Sequence, residues 1–162
     1  FQEKRDLHRG QKQWLEESVM AMIHRKIDIQ AKVEKVYGYI ENPCNLTSWM
    51  QGFKTIRNVR GIGEGTRYKS LWDMAGVCLR SEFRNIEDVT NEQIVLKSKG
   101  GIESLWSFRF ENHKEVTTLD LDIDYRIPVS IKRKMPMEIL LKRNEQDMDV
   151  ALRKLKEQLE SK

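Results

Sequence analysis

Beyond Gly52, six strand-like runs follow one another with only short turns between them, and this crowding limits the fold more than any other feature of the chain. The runs are Lys54 to Arg60, Thr66 to Asp73, Val77 to Asp88, Gln93 to Lys99, Glu103 to Glu111 and Glu115 to Ile127. Their joints are Gly61-Ile62-Gly63-Glu64-Gly65, Met74-Ala75-Gly76, Thr90-Asn91-Glu92, Gly100-Gly101 and Asn112-His113-Lys114. A parallel neighbour needs a crossover of roughly a dozen residues or more, so adjacent strands must pair antiparallel as a meander. The last run shows the period best. Leu119, Leu121, Ile123, Tyr125 and Ile127 alternate with Thr118, Asp120, Asp122, Asp124 and Arg126, which predicts one buried and one wet face.

The remaining segments supply what such a sheet packs against. Val19 to Ile29 alternates as a first strand. Val33, Val36, Tyr37 and Ile40 then fall at helical spacing until Asn42-Pro43 stops them, and a helical turn over Asn45 to Met50 places Trp49 toward the core. From Pro136 onward, Met137, Leu140, Leu141, Asn144, Met148, Ala151, Leu152, Leu155 and Leu159 form one stripe of a long helix. The predicted fold is α+β, a curved seven-stranded antiparallel sheet around a long C-terminal helix in the order β-α-α-β6-α. Only that helix can cover the apolar face, and a curved sheet leaves space beneath it for a pocket.

Composition narrows the class. With 39% hydrophobic and 33% charged residues in 162, the chain suits one folded domain and neither a disordered nor a membrane class. Phe1 to Ser18 is charged and lacks the apolar middle of a secretory signal; it reads as an N-terminal extension or expression remnant before a domain over 19–162. Cys44 and Cys78 show no C-x-x-C spacing, so reduced thiols and a cytoplasmic setting are expected. A charge of +4 is modest for a nucleic-acid binder, and none is predicted. Lys54, Arg57, Arg60, Arg67 and Lys69 nevertheless form a basic ribbon, either a solvated sheet face or a weak membrane-surface or protein contact.

Chemistry-bearing motifs are scarce. Gly61-x-Gly63-x-Gly65 lacks the spacing and the following helix of a dinucleotide fingerprint, so it reads as a turn or bulge. His8, His24 and His113 are read as isolated from any Cys, Asp or Glu at metal-ligand spacing, and no metal or cofactor is predicted. Asp120, Asp122 and Asp124 read as a solvated comb with cross-strand ion pairs to the first strand, for example through Lys26. No nucleophile elbow occurs, and no catalytic residue is assigned. The candidate ligand-binding residues are the inward aromatics Trp49, Tyr68, Trp72, Phe83, Trp106, Phe108 and Tyr125, with Met137, Leu141, Asn144 and Met148 of the helix above them. Trp72, Trp106 and Phe108 are expected beneath the helix's first half, with Leu152, Leu155 and Leu159 as its anchor. Core packing is the competing reading for the rings, and a backbone group or buried water for Asn144.

Ile27-Asp28-Ile29-Gln30-Ala31 leading into Val33 and Val36, Trp49 after Glu41-Asn42-Pro43, Gly61 to Tyr68 and the closing Leu152-x-x-Leu155-Lys156-x-x-Leu159-Glu160 carry a resemblance. They resemble the START-like, or Bet v 1-like, superfamily (SRPBCC) with its helix-grip fold, in particular the polyketide cyclase/dehydrase and lipid-transport branch, from about Met20 to Glu160. The resemblance implies a hydrophobic cavity that holds an apolar small molecule or lipid for carriage, sensing or sequestration. It also leaves open a cyclase or dehydratase in the same cavity, and a co-chaperone-like or quinone/lipid chaperone domain.

Overall fold

The computed structural model describes residues 19–161; the expectations for Phe1 to Ser18, including His8, lie outside them. The strands are β1 (Val19–Ile29), β2 (Phe53–Arg60), β3 (Arg67–Met74), β4 (Val77–Val89), β5 (Gln93–Gly100), β6 (Ser104–His113) and β7 (Val116–Ile127). The helices are α1 (Val33–Glu41), α2 (Leu46–Trp49), α3 (Val129–Lys132) and α4 (Met137–Glu160), with a 3-10 turn at Pro43–Asn45. All strands form one antiparallel sheet in the order β1-β7-β6-β5-β4-β3-β2, so the meander runs through six of them and β1 closes onto the last.

Local chemistry explains the breaks. The Asn42 side chain accepts from the Cys44 N–H at 3.1 Å and Pro43 starts the 3-10 turn, where its missing N–H is harmless. In β2 the register shifts between Arg57 and Arg60, and Asn58 lies at φ 56°, a bulge that turns the strand. Between Pro128 and Pro136 the chain forms the extra helix α3, which buries Ile131 completely; seven residues between two prolines, with Val129, Ile131 and Met135 the apolar ones, are too few to show a helical period.

The apolar stripe of α4 covers the inner face, with Leu140 and Leu155 at 0% exposure and Met148, Ala151, Leu152 and Leu159 also buried. Such side chains contribute about 1.5–3 kcal/mol each relative to exposure. Polar ties fix the helix's C-terminal half: Lys35 Nζ donates to the Leu159 carbonyl at 2.7 Å, and Lys156 Nζ to the Asp28 carbonyl at 2.6 Å. Arg25 pairs with Asp149 at 2.7 Å.

Two expectations for the outer face need correction. Thr118 is buried rather than wet, and its hydroxyl donates at 2.6 Å to the carboxylate of Asp28, its cross-strand partner in β1. Lys26 pairs with Glu111 at 3.8 Å, whereas Asp120 and Asp122 face His24 and Arg109.

Candidate functional site

A cavity of about 280 Å³ opens between the sheet and the middle of α4. Its walls are Trp72 and Met74 of β3, Phe83 of β4, Trp106 of β6 and Ile123 and Tyr125 of β7; Asn144 and Met148 form the roof. Strand alternation delivers these side chains inward, and the rings hold one another edge to face. Trp72 and Trp106 stand 6.3 Å apart at 73°, and Phe53 braces Trp72 at 4.5 Å and 84°. Gly52 lines the same side, and a Cβ there would meet Trp72 Cζ2 at 2.5 Å, so glycine is what lets the indole lie flat against the chain.

The polar groups of the aromatic wall and the roof divide into paired and unpaired ones. Trp106 Nε1 donates to Ser104 Oγ at 2.9 Å, and Ser104 shares a 2.5 Å hydrogen bond with Ser98, so that indole is closed off. Asn144 Nδ2 donates to Tyr125 Oη at 2.9 Å. The phenol thus spends an acceptor site on Asn144 and keeps its own proton to give. Burial raises the Tyr125 phenol above the ordinary tyrosine range, with the Asn144 bond acting the other way and Glu145 adding a smaller upward push. The Trp72 Nε1–H is buried without a partner among the described residues. An unpaired buried N–H is expensive, and a ligand acceptor would relieve it.

Of the residues expected at the site, Trp72, Phe83, Trp106, Tyr125, Asn144 and Met148 line this cavity. Trp49, Tyr68 and Phe108 do not; at 0%, 2% and 0% exposure they belong to the packed core. Burial also pushes the Tyr68 phenol up. Met137 and Leu141 pack partly buried against the core beside the cavity rather than lining it. The stripe of a helix reveals its face but not which turn stands farthest from the sheet, and the open turn is Asn144 to Met148. Sequence reasoning missed Met50, Gly52, Asp73, Arg143 and Asp147 at the wall and mouth, and assigned Lys54 to the ribbon although it also lines the cavity. Met50 and Gly52 precede β2 in a loop without periodicity, and Asp73, Arg143 and Asp147 lie off the apolar stripes that periodicity reveals.

On the outer face, register brings together what sequence spacing keeps apart. Donor atoms of His24, Asp120 and Asp122 lie within 4.8 Å of one another. Arg109 already sits on Asp122 at 2.5 Å, and the group reads as an ion-pair network. His24, then Arg109, holds the Asp122 carboxyl below its usual range.

The family model described as polyketide cyclase / dehydrase and lipid transport matches residues 20–160. The chain belongs to this family. No curated protein matches the sequence at a significant level. Among solved structures, a protein of Thermus thermophilus is similar, with a TM-score of 0.70 and 17% identity over 86% of this chain and 97% of that one. The ZhuI aromatase/cyclase of a Streptomyces species is similar with a TM-score of 0.68 and 13% identity, over 88% and 94%. Norcoclaurine synthase of Thalictrum flavum, solved with dopamine and hydroxybenzaldehyde, gives 0.58 and 15%, over 90% and 91%. At these identities the likeness is one of fold, a seven-stranded helix-grip sheet. Family and fold together point to hydrophobic-ligand binding or cyclase/dehydrase-type chemistry. No helix among the described residues is long and apolar enough to cross a membrane.

Proposed function

We propose that residues 19–162 act as one unit that binds an apolar small molecule bearing an acceptor oxygen, for carriage, sensing or sequestration. The observation that carries this reading is Trp72, a ring of the cavity wall whose Nε1–H is buried without a partner among the described residues. Tyr125 Oη supplies a second donor nearby in the same lining. Apolar walls with one or two placed polar groups are the usual make-up of a small-molecule site. Exposed Cys44 and Cys78, both free thiols, support a cytoplasmic setting.

Native mass spectrometry of gently purified protein tests for retained ligand. Titration tests the chemistry: an aromatic ketone or phenol should bind at roughly micromolar Kd, about 8 kcal/mol. Trp72→Phe keeps an aromatic, smaller ring and removes the donor. It should weaken the oxygen-bearing ligand by about 2- to 10-fold and leave a hydrocarbon analogue unchanged. Equal effects on both ligands would sink the donor assignment, and Met148→Trp should block both.

Tyr125 favours a second reading, a cyclase or dehydratase in the same cavity. A phenol kept protonated by burial and oriented by Asn144 can polarise a carbonyl. On that reading Tyr125→Phe abolishes turnover of a bound polyketide-like substrate while binding survives.

A further inference from the structure

The outer face of β2 to β5 carries a charge pattern that stability alone does not explain. Arg60 is the Cα partner of Arg67, Arg67 of Arg84, and Arg84 of Lys97, so four cations stand in one row across four adjacent strands. The next row reads Arg57, Lys69, Glu82, Lys99, with one acid among three cations. The bulge at Asn58 makes this possible: it absorbs the odd spacing between Arg57 and Arg60 and sets each opposite a basic residue of β3. All seven cations are exposed. Among the described residues none of the seven has an ion-pair or hydrogen-bond partner for its side chain. Like charges directly opposite on a ladder destabilise it. The other half of the same outer face does the opposite, pairing Arg109 with Asp122, Lys26 with Glu111 and Arg126 with Glu103.

We propose that this face docks on an anionic lipid surface. Strands about 4.8 Å apart and same-face residues about 7 Å apart make a two-dimensional grid of point charges, suited to a plane of headgroups. A depression of about 650 Å³ lined by Arg57, Lys69, Arg80 and Lys99, with Glu82 as the one acid among them, gives room for a headgroup within the grid. Ile62, in the turn joining Arg60 to Arg67, is 93% exposed and offers an apolar tip at the border of the cations. The exposed large hydrophobic residues include no aromatic on which a nucleic-acid base could stack, and the surface presents a sheet rather than a basic groove. The face is distinct from the ligand cavity, whose lining takes Trp72, Asp73 and Met74 from the far end of β3 and Phe83 from the opposite, inner face of β4.

The test is co-sedimentation of the full chain with phosphatidylcholine vesicles, with and without about a third phosphatidylserine, at low and physiological salt. Binding is expected to the anionic vesicles alone and to weaken with salt. Arg67→Gln/Arg84→Gln/Lys97→Gln should weaken it on the order of a hundredfold while keeping or raising the melting temperature. Ligand binding in the cavity stays unchanged in that variant, so the two proposals fail separately. Lys132→Gln/Arg133→Gln/Lys134→Gln removes as much charge elsewhere and should retain most of the binding. Ile62→Ser should weaken vesicle binding and leave heparin binding alone. Wild-type protein that ignores anionic vesicles at low salt overturns the proposal. So does equal loss in the two triple variants, unchanged vesicle affinity in Ile62→Ser, or tight binding to duplex DNA or an acidic protein without vesicle binding.

Discussion

Gly52 has no side chain because the Trp72 indole occupies the place where one would begin, with Cζ2 only 2.5 Å from a Cβ built there. Gly52→Ala must therefore move a ring that Phe53 and Trp106 also hold. We expect a loss of about 1–3 kcal/mol in denaturant unfolding, with weaker binding of an aromatic ligand. A variant identical to wild type in both measurements would show that Trp72 has room to turn. Asp122 provides a residue-scale prediction for pH. Its folded pKa lies below the unfolded carboxylate value, through His24 and then Arg109. Its contribution is therefore full above about pH 4 and is lost as pH falls through the folded value. The carboxylate is 37% exposed, so Asp122→Asn should cost less than about 1 kcal/mol at pH 7. The melting difference from wild type should vanish toward pH 2; a difference that persists there would assign the effect to packing.

Helix α4 has two unequal halves. Its C-terminal half is held by Leu152, Leu155 and Leu159 and by the lysine ties to the Leu159 and Asp28 carbonyls. Leu155→Ala should cost about 2–5 kcal/mol, whereas Leu141→Ala, at a partly buried position, should cost clearly less. Equal losses in urea unfolding would contradict the division. The stripe from Met137 to Leu159 was plain from its spacing, and so was the inward set from Leu119 to Ile127. The height of each turn above the sheet was not. That height depends on sheet curvature and on the volumes of Trp72, Trp106 and Tyr125 beneath, which are properties of facing surfaces. Hence Asn144 and Met148 were placed over the cavity together with Met137 and Leu141, and only the first pair lines it.

At the scale of the molecule, a saturating ligand should report on the whole fold. At about 100 times its Kd a ligand that binds only the folded state adds about 2.7 kcal/mol, which for a domain of this size raises the melting temperature by about 5–10 °C. No shift with any apolar, oxygen-bearing compound would leave the cavity as a packing defect. The antiparallel meander was legible in the chain alone, because turns of a few residues forbid crossovers, and so were the inner faces of sheet and helix, because period is a local property. Tertiary structure alone decided three things: which inward rings are core and which are wall, that His24 and Arg109 rather than Lys26 answer the aspartates, and that the basic ribbon of β2 and β3 continues through Arg84 and Lys97 into a cationic plane. Each turns on register or depth between segments far apart in the chain, and neither quantity is written in the spacing of residues along a single strand or helix.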